Sequence, residues 1–112
     1  MDLIRLTDAM QDCIKEIRDD ANRLYNLAKK KADALAERDK QISIATITLK
    51  ESGLAIGIIG AKAKGDCCDF TREAELHEAC YQACRTRIEA QKAILNGLQS
   101  ILRVQEEMAK RG

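Results

Sequence analysis

The sequence predicts an all-α fold: two long antiparallel coiled-coil helices joined by a short, helical, Gly-rich tip and assembling into a helical-bundle homo-oligomer. Three observations predict it. Apolar residues recur at alternating steps of three and four on both sides of one segment, proline is absent, and four of the six glycines fall within that segment. The first ladder reads Ile14, Ala21, Ala28, Leu35, Ile42, Leu49, with Leu3, Met10, Ile17, Leu24 and Ala45 on the companion rung. The second reads Phe70, Ala74, Tyr81, Cys84, Ile88, Leu95, Leu98, Leu102, Ala109. Alternating steps of three and four are what a packed helix seam requires.

The first helix is expected over about residues 3–52, with Gly53 supplying the left-handed residue that ends it. Its stretch Ile42, Ser43, Ile44, Ala45, Thr46, Ile47, Thr48 is β-branched and taken alone reads as a strand. The seam continues through Ile42, Ala45 and Leu49 without a slip, so helix is the assignment. The tip, 53–66, is apolar and then basic; a short helix over about 54–64 sets Leu54, Ile58 and Ile59 against Ile44 and Ile47 as a small core of its own. Asp66 or Asp69 is the expected cap of the last helix, over about 67–110. Gly97 costs that helix up to about 1 kcal/mol against alanine, which a closely packed neighbour offsets. Asn96-Gly97 is also a turn signal, but Leu95, Leu98 and Leu102 keep the seam going.

Folding about the tip pairs positions whose numbers add to about 119, so Leu49 meets Phe70, Leu24 meets Leu95 and Ile17 meets Leu102. A second apolar stripe is then left over on each helix. Leu6, Cys13, Leu27 and Ala34 form one, and Cys80, Ile94, Ile101 and Met108 form the other. Such stripes mark partners, and two hairpins side by side bury both, which makes a homodimer the expected assembly.

Composition narrows the function. The 112 residues suit one domain spanning 1–112, with 33% charged and 46% hydrophobic residues. A net charge of +1 and 3% aromatics argue against a nucleic-acid binder, which relies on excess cations and stacking rings. The start lacks the basic and apolar regions of a secretory signal, and Leu54–Gly60 is too short to span a bilayer. The expected location is therefore the cytoplasm, with no membrane partner. Cys13, Cys67, Cys68, Cys80 and Cys84 are odd in number and include an adjacent pair, so free thiols are expected.

Polar residues interrupt the seam in its middle. In the 119 register Lys31 faces Ile88, Arg38 faces Tyr81, His77 faces Ile42 and Gln91 faces Ala28. One reading is that Lys31 and Arg38 extend their charges out of a narrow seam and fix register. The sharper one is a basic pocket lined by Arg38, His77 and Tyr81, with Lys31 and Arg87 nearby, suited to a phosphorylated small ligand. His77, Cys80 and Cys84 share a helix face at metal-ligand spacing, but a fourth ligand is missing, so neither a metal nor any other cofactor is assigned. No arrangement of base and oxyanion donors is visible beside any thiol, so no catalytic residue is assigned either. Gly60 to Gly65 has the glycine spacing of a phosphate loop, with Lys62 and Lys64 inside it. Asp66 stands where that loop needs lysine, which leaves a solvated turn as the reading.

Lys50-Glu51-Ser52-Gly53, the isoleucine-rich tip, Ala63-Lys64-Gly65-Asp66, Glu73, Glu75 and Tyr81 together resemble small α-helical hairpin proteins encoded by phages and prophages of Gram-positive bacteria. The resemblance covers about residues 34–103. It implies a phage accessory protein with no assigned reaction. The expectation is a non-enzymatic protein acting by stoichiometric binding to a host or phage protein, as an anti-defence or host-takeover inhibitor. The alternative is an oligomer that sequesters a phosphorylated nucleotide signal.

Overall fold

The computed structural model describes residues 2–111 and is all-helical, with α1 over Leu3–Glu51, α2 over Ile56–Asp66 and α3 over Cys68–Arg111. The chain packs as two compact units. One comprises Met1–Tyr25 with Ala83–Gly112, the other Asn26–Gln82.

Local chemistry sets the helix ends. Asp2 Oδ1 accepts the Arg5 backbone N–H at 2.8 Å, satisfying one of the donors that open α1. The β-branched run stays helical, and two of its hydroxyls bond back into the helix: Thr46 Oγ1 donates to the Ile42 carbonyl at 2.7 Å and Thr48 Oγ1 to the Ile44 carbonyl at 2.9 Å. At the other end Leu54 N–H donates to Leu49 C=O at 3.3 Å and Gly53 N–H to Lys50 C=O at 3.2 Å. With Gly53 at φ 81° this is a Schellman motif, and the half-buried Leu54 and Leu49 supply its apolar contact.

A single residue, Cys67, separates α2 from α3. Its N–H donates to Ala63 C=O, while its own carbonyl accepts from Phe70 and Thr71 at 3.1 and 3.2 Å. Neither expected carboxylate cap forms at this break by side chain. Asp66 pairs with Lys62 at 3.1 Å, and Asp69 lies inside the first turn of α3 and pairs with Arg72 at 3.3 Å.

Two expectations are corrected by the packing. The chain reverses at the turn Ser52–Ala55, so α2 belongs to the returning arm and the pairing numbers fall well below 119. In the first unit Cys13 meets Gln91, and Asp20 meets Cys84 and Arg87. In the second, Lys31 meets Glu78 and Tyr81 in place of Ile88. The second correction is a rotation of α1 by about one residue within the first unit; in the second the expected ladder holds, with Ala28, Leu35, Ile42, Ala45 and Leu49 half-buried. Leu6, Cys13 and Asp20 are its buried positions, while Ile14, Ala21 and Leu3 are exposed. Leu6, Cys13 and Leu27, expected on an interface between copies, therefore belong to the intramolecular seam, with Leu6 and Cys13 buried and Leu27 half-buried.

The first unit's core is Leu6, Cys13, Cys84 and Ile88, with Asp20 and Gln91 buried among them. In the second, Ile59, Ala63, Cys67 and Ala74 form a buried stripe that runs from α2 across the Cys67 break into α3. The small core expected at the tip is only partly made. Ile59 is buried and Leu54 half-buried, whereas Ile44, Ile47 and Ile58 are exposed.

Candidate functional site

Three features stand out, each confined to one unit. The first is a polar cluster inside the first unit. Asp20, buried at a seam position seven residues from both Cys13 and Leu27, accepts from Arg87 Nε at 2.9 Å and pairs with Arg23 at 3.3 Å. Its hydrogen bond, and then its charge, hold the Arg87 guanidinium above its ordinary pKa. Cys84 Sγ donates to the Asp20 carbonyl at 3.4 Å and Cys13 Sγ to the Gln91 carbonyl at 3.1 Å, while Gln91 Nε2 donates to Glu16 at 3.1 Å. Asp20, Arg23, Arg87, Gln91 and Glu16, with Asp19, line an open groove of about 370 Å³. Sequence reasoning missed Asp20. The signal was available, because Leu6, Cys13, Asp20, Leu27 and Ala34 form a seven-residue ladder with one carboxylate in it.

The second feature is a groove of about 730 Å³ in the second unit, lined by Arg38, Asp39, Ile42, Lys64, Cys68, Thr71, Arg72 and Glu75. Three cations, a half-buried hydroxyl and the opening turn of α3 meet there, and that turn carries the positive end of the helix dipole. Carboxylates temper the charge: Arg38 is held by Asp39 at 3.0 Å and Arg72 by Asp69. The structure thus joins Arg38 of the seam with Lys64 of the tip. It does not join Arg38 with His77 and Tyr81 in one groove. His77 bonds Glu73 at 3.1 Å and lines a separate groove with Lys30, Ala34 and Phe70. Lys31 stacks 4.8 Å from the Tyr81 ring centroid and pairs with Glu78 at 3.7 Å, so its charge stays partnered at the seam edge. Lys62 is taken by Asp66, and Arg87 by Asp20 in the other unit.

The third feature is the outward face of α3. Ile94, Ile101, Val104 and Met108 are 58%, 40%, 54% and 67% exposed. They follow the heptad of the inner seam, displaced round the helix, and Cys80 continues the ladder as an exposed position. Apolar side chains at heptad spacing on a solvent face are what a helical partner would cover.

His77, Cys80 and Cys84 do not converge: Cys80 is exposed while Cys84 is buried against α1. Among the described residues no group of three or more His, Cys, Asp or Glu side chains is placed to hold a metal ion, and no helix is long and apolar enough to cross a membrane. No family model, curated protein or solved structure matches the chain.

Proposed function

We propose that this chain is a non-enzymatic binding protein that acts stoichiometrically on a protein partner and works as a helical homo-oligomer, in the manner of a phage accessory or anti-defence factor. The observation that carries the reading is the open apolar ladder of α3. Ile94, Ile101 and Met108 keep a coiled-coil period on a face that α1 does not cover, so their burial awaits another helix. Exposed Ile44 and Ile47 on α1, and Ile56 and Ile58 on α2, leave apolar surface in the second unit for the target. Native mass spectrometry on tagged protein drawn from a bacterial host lysate tests this. A protein retained at fixed ratio to an oligomer, and lost with the oligomer in Ile94→Asp/Ile101→Asp, is the expected result. A chain that stays monomeric and retains nothing contradicts it.

One observation favours a second reading, sequestration of a phosphorylated nucleotide: Arg38, Lys64 and Arg72 share one groove with Thr71. Bidentate arginines and a lysine are suited to phosphate oxygens. Calorimetric titration with linear and cyclic nucleotides decides. Binding abolished by both Arg38→Met and Lys64→Ala is the outcome this reading requires, and no heat with any nucleotide counts against it.

A further inference from the structure

The outward face of α3 carries more than large apolar residues. Ala83, Thr86, Ala90, Ala93, Gly97, Ser100 and Val104 follow one another at alternating steps of three and four, and all are exposed. This stripe lies on the side of α3 opposite its buried seam residues Cys84, Ile88 and Gln91. Gly97 sits inside it, in the interior of a long helix, where glycine costs up to about fivefold in local helix stability relative to alanine. Nothing within the chain requires that glycine: a Cβ added there meets no atom within 4 Å, and its φ is not positive. The position is small without an internal neighbour to explain it.

We infer that this stripe is the contact face for α3 of a second copy, packed antiparallel and at close range about a two-fold axis beside Leu95 and Asn96. The inference rests on the homo-oligomer reading and specifies its face and direction. The sequence on the face is complementary to itself in that direction. An antiparallel register centred there brings Gly97 to Ala93, Ala90 to Ser100 and Thr86 to Val104 of the second copy, so small residues line the whole line of closest approach. Ile94, its counterpart and Ile101 flank the line on one side. On the other side the same register sets Glu89 against Arg103 of the second copy, and by symmetry this pair forms twice. Both side chains are exposed, and Glu89 makes only a 3.8 Å intrahelical contact with Lys92. In a parallel pairing Glu89 would instead face Ile94 of the second copy and Arg103 would face Met108, so neither ion pair would form. Side-chain size therefore selects the face, and charge selects the direction.

Sedimentation equilibrium at low ionic strength, on wild-type protein and four variants, tests the assignment. Glu89→Arg and Arg103→Glu each create like-charge contacts twice and are expected to weaken the dimer about tenfold or more. Glu89→Arg/Arg103→Glu restores the pairs in reverse and returns the dissociation constant to within about threefold of wild type. Gly97→Leu blocks close approach and yields monomer, while circular dichroism shows helix content at or above that of wild type because leucine is the better helix former. A dimer unaffected by Gly97→Leu overturns the contact face. A dimer lost on Gly97→Leu but indifferent to both single reversals overturns the antiparallel register. Wild-type protein that remains monomeric at every concentration overturns the homo-oligomer reading itself, whereas an oligomer indifferent to all four variants overturns only the present assignment.

Discussion

A carboxylate at position 20 occupies a seam site where leucine would bury more apolar area, and it is held there by Arg87 and Arg23. The two partners of this ion pair are unequal. Asp20 is buried, whereas the Arg87 side chain is 48% exposed and keeps much of its hydration. Removing Arg87 leaves the buried charge to Arg23 alone; removing the carboxylate leaves only partly solvated cations. Arg87→Ala is therefore expected to lower stability, and Asp20→Leu to leave it unchanged or raise it by about 1 kcal/mol. Thermal melts followed by circular dichroism read both. Equal loss from the two substitutions would show that Asp20 is needed for more than its pairing.

At the scale of elements, α2 is the weak member. It is eleven residues long, contains Gly57, Gly60 and Gly65, and has no side-chain hydrogen bond at its N-cap Ala55. Isolated helices of that length are marginal, so the burial of Ile59 and Ala63 is what holds it. A Cβ at Gly60 meets nothing within 4 Å, and Gly60→Ala is expected to slow amide exchange in α2 by up to about fivefold, roughly 1 kcal/mol. Gly53→Ala should do the reverse at the end of α1, because φ 81° strains an L side chain. Exchange unchanged by either would separate the stability of the tip from its glycines. The helices were legible because their heptads are long and uninterrupted. The register was not, because it turns on whether α2 belongs to the tip or to the returning arm, and Gly65 reads as a stop where the buried stripe Ile59, Ala63, Cys67, Ala74 in fact runs on across the one-residue break at Cys67. The facing of α1 was hidden for a different reason. Ile14 and Ala21 lie one residue, about 100° round the helix, from Cys13 and Asp20, and the more apolar pair is the one left exposed. The union of Arg38 with Lys64 in one groove follows from the register and was lost with it.

For the whole molecule, the decisive feature is an α3 with two heptad faces. The inner one is satisfied by α1 within the chain, and the outer one, from Ala83 to Met108, is open. A net charge of +1 does little to keep copies apart, so nothing long-ranged opposes pairing through that face. Substituting Ile94 and Ile101 together by aspartate places charges in the contact and is expected to abolish assembly while leaving the intramolecular seam intact. Sedimentation equilibrium of the wild-type chain over a wide concentration range, beside Ile94→Asp/Ile101→Asp, tests the central claim most directly. The account predicts a wild-type mass of twice 12.5 kDa and a helical monomer of 12.5 kDa for the variant; a wild-type mass of 12.5 kDa throughout, or a variant that assembles as the wild type does, would contradict it.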